Sequence, residues 1–117
     1  MKAAVEVVSA TLARMPASLR HLAEGVRLHL ENFPSEEIVK QGFEPDLLGL
    51  FIGDSVGAEP NYESPLPPQI YLYLESIYGF CDGDEKAFRK EVRLTYLHEL
   101  GHFFGWDEEE VAARGLE

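Results

Sequence analysis

The chain has 117 residues, 45% hydrophobic and 26% charged, a composition that fits one folded core and excludes a disordered or fibrous polypeptide. Ten basic against 21 acidic side chains leave a formal charge of −11, which repels phosphate backbones, so no nucleic-acid partner is expected. The single Cys81 excludes an internal disulfide and reads as a small packed side chain.

At the N-terminus, Glu6 and Arg14 interrupt the apolar run and leave no signal-peptide core. No stretch approaches the length of a membrane span. A cytoplasmic protein of one domain, residues 1–117, with no membrane association is therefore expected. Met1 to Ala13 carries Val5, Val8 and Leu12 at helical spacing, and Pro16 restarts the chain into a second short helix that ends at Gly25. "VRLHLEN" alternates Val26, Leu28 and Leu30 with Arg27, His29 and Glu31, the period of a half-buried strand. "SEEIVKQGF" opens on a Ser35 cap and closes at Gly42, a helix of one or two turns.

Two further strands are predicted in "DLLGLFIGDS" and "PQIYLYLES", the second alternating Ile70, Leu72 and Leu74 with Tyr71 and Tyr73. Between them, "GAEPNYESPLPP" has four prolines and no periodicity, so it is a loop: a lid over a site or a connector. The longest helix follows Cys81, capped by Asp82 or Asp84, with Phe88, Val92, Tyr96 and Leu100 on its inner stripe. The fold class that results is α+β, a single layer of small mixed β-sheet packed against helices.

Chemistry concentrates in "HELGHFFGWDEEE", His98 to Glu110. Residues four apart on a helix share a face, so His98 and His102 can hold one metal ion between them, and Glu99 on the adjoining flank can reach a water beside it. A third ligand from the next turn would lie too far along the axis. The chain must fold back, and Gly105 is the residue type that ends a helix in the left-handed conformation. Glu108 then brings an oxygen ligand, with Asp107 as the rival. Asp107 and Glu110 also suit the N-cap and capping box of a last helical turn. Gly101 costs about 1 kcal/mol inside a helix, which points to close packing on that side. His21 and His29 read as structural or solvated. Tyr62, Tyr71, Tyr73, Tyr78 and Tyr96 read as core or rim aromatics, none of them nominated as the oxyanion donor a hydrolase needs.

At these residues the chain resembles the zincin metallopeptidases, whose HExxH helix matches His98, Glu99 and His102. It is most similar to the small bacterial zincin-like metallopeptidases, with a minimal fold and an HExxHxxGxx(D/E) motif. The blocks "DLLGLFIG", "LPPQIYLYLESI" and "VRLTYLHELGHFFGWDEEEV" extend the similarity from about Leu19 to Val111. The resemblance implies a zincin-like fold with its active-site helix near the C-terminus, a zinc ion (Zn2+) on His98, His102 and Glu108, and Glu99 as general base in peptide-bond hydrolysis. The metzincin subclass is excluded, because Glu108 stands at its third histidine and Met1 and Met15 are the only methionines. A peptide or protein substrate is expected, aligned along an exposed strand such as "QIYLYLES", with a protein partner completing the cleft where larger zincins use a further subdomain. Two alternatives follow: a metal-bound interaction module with little turnover, and an RNA-processing metallohydrolase. The charge, Glu99 and Glu108 all oppose the second.

Overall fold

The computed structural model describes residues 2–56, 67–106 and 109–110. The proline-rich segment 57–66 lies outside them, and with it the choice between lid and connector. Among the described residues the order is α1 (Lys2–Ala13), α2 (Ala17–Glu24), β1 (Arg27–Glu31), α3 (Glu36–Lys40), β2 (Gly49–Ile52), β3 (Gln69–Tyr73), α4 (Leu74–Phe80) and α5 (Glu85–Phe104). The three strands form one mixed sheet ordered β1-β3-β2, β3 running parallel to β1 and antiparallel to β2. The α+β class and the single mixed layer agree with the sequence.

Three details differ from the sequence reading. The inner stripe of α1 is Ala4, Val8 and Thr11, while Val5 is 49% exposed. Alanine at position 4 carries no bulk, so the helix seats closer to α5 when that side faces in. Secondly, β3 ends at Tyr73, and Leu74 belongs to α4. Leu74 fits two periods at once: the alternation from Ile70 and Leu72, and the three-residue step to Ile77, which is also in the core. The helix wins because the amides of Glu75 and Ser76 both bond the Asn32 carbonyl just beyond β1, which turns the chain out of the sheet. Thirdly, "QIYLYLES" is not an exposed strand. Its main chain is committed on both sides, so β1 and β2 are the edges.

The core lies between the sheet and α5. Ile70 and Leu72 of β3 meet Val92, Tyr96 and Leu100 of α5, all 3% exposed or less, with Val8 and Ile77 added by α1 and α4. Asp84 caps α5 by accepting bonds from the amides of Lys86 (2.9 Å) and Ala87 (3.1 Å), while Asp82 (φ 51°) and Gly83 (φ 75°) make the preceding turn. Ser35 caps α3 through Ile38, as its sequence position predicts. No helix among the described residues is long and apolar enough to cross a membrane.

Candidate metal centre

Late in α5, His98 and His102 stand exposed on one face. Their rings are nearly perpendicular, at 84°, with the two Nε2 atoms 3.2 Å apart. Two nitrogens bound to one tetrahedral zinc at about 2.0–2.1 Å are separated by roughly 3.3–3.4 Å. The pair therefore fits a shared ion with almost no movement. Ligand atoms of His98, Glu99 and His102 all lie within 4.8 Å of one another, the donor set of nitrogen and oxygen that zinc accepts.

Glu99 is the buried member, 8% exposed, and faces β2. Its carboxylate accepts a hydrogen bond from the Phe51 backbone N–H. The ladder explains why that donor is open. Tyr73 N–H bonds Leu48 C=O, so in the alternating antiparallel pattern Leu50 and Ile52 also turn their main chain toward β3, while Gly49 and Phe51 turn theirs outward. Burial pushes the Glu99 carboxyl above the ordinary carboxylate range, and His102, His98 and the Phe51 amide pull the other way. Burial prevails, which raises the basicity of an acid placed beside two imidazoles.

Gly49 lets this contact form. A Cβ there would stand 2.6 Å from Thr95 Cγ2, 3.2 Å from the Tyr71 carbonyl oxygen and 3.4 Å from Glu99 Cγ. Only hydrogen in place of a side chain allows β2 to approach α5 this closely. The sequence held a signal, a glycine inside a strand, that marks close approach of another element.

The end of α5 is a Schellman motif. Gly105 is left-handed (φ 75°, ψ 25°), its amide bonds the His102 carbonyl, and the Trp106 amide bonds the Gly101 carbonyl at 2.8 Å. Trp106 then packs on Phe104, ring centroids 4.7 Å apart. Gly101 is buried. Glu108 and its rival Asp107 lie outside the described residues, as does the proposed Asp107 cap; the backbone is helical at Glu109 and Glu110.

An open cleft of about 450 Å3 lies beside Glu99 and His102. It is also lined by Leu50 and Phe51 of β2, by Gly53 and Ser55 just beyond that strand, and by Phe43 from the segment after α3. Nothing in the sequence marked Phe43, because its role depends on the packing of a loop. The Val56 amide bonds the Phe103 carbonyl at 2.7 Å, tying the chain beyond β2 to the end of α5. Among the described tyrosines none lines this cleft, and Tyr62 lies outside the described residues. His21 is exposed on α2; His29 stacks on Tyr71 and pairs with Gln69 at 2.8 Å. Neither belongs to the cluster of His98, Glu99 and His102.

Comparison with known proteins gives one positive result. A family model described as zincin-like metallopeptidase matches residues 23–116. No curated protein gives a significant match.

Proposed function

The chain belongs to the zincin-like metallopeptidase family, and from that premise we propose that it is a zinc-dependent peptidase with Glu99 as general base and His98, His102 and Glu108 as zinc ligands. The observation that carries the reading is the buried, upward-shifted Glu99 held within 4.8 Å of two imidazole nitrogens spaced for a shared ion. When bound, zinc supplies the Lewis acidity that polarises a substrate carbonyl and acidifies a water. His98 and His102, on one helix face with their Nε2 atoms 3.2 Å apart, would supply two nitrogen donors without large rearrangement.

Glu99 accepts a proton from the attacking water and returns it to the leaving amine, a task suited to a carboxylate whose basicity burial has raised. β2 is an outer strand whose Phe51 amide is held by Glu99, which leaves the outward main chain of Gly49 for an extended peptide, so β2 takes the substrate-aligning role expected of β3.

Metal content by mass spectrometry tests the ligands. About one zinc per chain is expected in the wild type, lost in His102→Ala and Glu108→Ala and kept in Asp107→Ala. Glu99→Gln should keep its zinc and cleave peptides about 10²–10⁴-fold more slowly. A zinc-loaded protein that cleaves nothing in a broad peptide library would instead make this an interaction module.

A further inference from the structure

Resting on the peptidase reading, we propose that Ser55 is a further catalytic residue, whose hydroxyl donates a hydrogen bond to the scissile carbonyl oxygen as negative charge develops on that oxygen. Hydrolysis of an amide puts charge on one oxygen, and a donor already in place stabilises it best. Few residues line the cleft, and most of them cannot serve. Glu99 and His102 carry its ionisable groups and already have duties as base and metal ligand. Phe43, Leu50, Phe51 and Gly53 have no donor in their side chains, and the Phe51 amide is occupied by Glu99. None of the described tyrosines lines the cleft: Tyr73 and Tyr96 are buried in the core, and Tyr71 is stacked on His29. Among the described residues of the lining, Ser55 is the one with a neutral side-chain hydroxyl.

The position of Ser55 agrees with this role. It is half-buried between two exposed neighbours, Asp54 and Val56, so this residue and not theirs is the one set against the cleft. Two anchors fix the segment that bears it. On one side Gly53, at φ 127°, is pressed against the chain ahead of β3, where a Cβ would stand 2.7 Å from the Pro67 carbonyl oxygen and 2.8 Å from Pro68 Cα. On the other, the Val56 amide donates to the Phe103 carbonyl at 2.7 Å, and Phe103 directly follows His102 in α5. The serine is thus carried on a short strap tied to the helical turn that holds a candidate metal ligand.

A donor held in this way needs no recruitment when charge develops, and that is the source of its effect on rate. A serine hydroxyl rotates to meet its acceptor. It also carries no charge, so it stabilises the developing oxyanion without attracting or repelling the proton that Glu99 moves.

The test uses the zinc-loaded full chain with Ser55→Ala and with Ser55→Thr, which keeps the hydroxyl. Three quantities are read. The first is kcat and KM on a cleaved peptide. The second is affinity for a phosphinic peptide of the same sequence, whose tetrahedral, charged centre copies the transition state. The third is affinity for the intact peptide, by fluorescence anisotropy in a Glu99→Gln background. Ser55→Ala is expected to lower kcat by about 10²-fold with KM little changed, and to weaken the phosphinic peptide by a similar factor. Intact-peptide affinity and zinc content should stay as in the parent protein, because the bond forms only in the transition state. Ser55→Thr should recover most of the loss.

Unchanged kcat and phosphinic-peptide affinity in Ser55→Ala would overturn the role of Ser55 and leave the peptidase standing. A loss that threonine does not recover, or one that falls equally on the intact peptide, would make Ser55 part of the cleft's shape and overturn its role as donor. A wild type that holds zinc yet cleaves no peptide would overturn the peptidase reading and the role of Ser55 with it.

Discussion

Gly49 shows how a residue without a side chain can set the position of one that has chemistry. Its hydrogen leaves β2 near enough to α5 for the Phe51 amide to reach Glu99, and the tightest neighbour of an added methyl is Thr95 Cγ2. Gly49→Ala is expected to lose about 1–3 kcal/mol of stability by overpacking. Thr95→Ser, which deletes that methyl, should restore part of the loss in the double variant, read by urea unfolding. An alanine variant as stable as the wild type would mean that β2 and α5 slide apart freely. At this scale the motif residues were legible because their chemistry is written in their spacing. Phe43 was not, and a glycine inside a strand marked only that something approaches Gly49, since which element comes within 4 Å is decided by the packing.

At the scale of elements, α5 has two ends with different duties. Its N-terminus is held by Asp84 far from the histidines, and its C-terminus is the left-handed turn that leads to residue 108. Asp84→Ala should cost about 1 kcal/mol and leave zinc content unchanged. Gly105→Ala should cost about 1–2 kcal/mol, because an L-residue is strained at φ 75°, and should also weaken zinc retention by redirecting the chain toward Glu108. Unfolding curves paired with metal analysis separate the two; equal zinc loss in both variants would sink the division of duties. The long helix, its inner stripe and its terminal glycine were readable from sequence because each is a local preference. α4 was missed because Leu74 obeys two periods, and a bond from across the sheet decides between them.

For the whole molecule, two buried phenols set an alkaline limit. Burial alone pushes the Tyr96 hydroxyl up to about 12; Tyr73 reaches about 12 through burial first, then Glu31 and Tyr71. Unfolded, each would ionise near about 10. The native state therefore keeps these protons longer, so their stabilising contribution is complete below about pH 10 and is lost as pH rises toward about 12. Denaturant titrations across that window should show stability falling, and Tyr96→Phe should remove about 2–3 kcal/mol of the fall. An unchanged slope in the variant would place the effect elsewhere. Strand order also belongs to this scale. Three strands could be read from the sequence, but their arrangement with β3 in the centre arises from pairings between residues some 20 to 40 positions apart, which local patterning does not encode.

The bond between Glu99 and the Phe51 amide has one more consequence. An outer strand with bare donors invites a second copy to add itself to the sheet, and a buried charge aimed at that border discourages it. The same carboxylate assigned to proton transfer thus also occupies the Phe51 amide, a donor that would otherwise be open to strand addition at β2. Glutamine at position 99 retains an oxygen for the amide, whereas alanine strips the border, so the alanine variant is the one expected to aggregate on concentration.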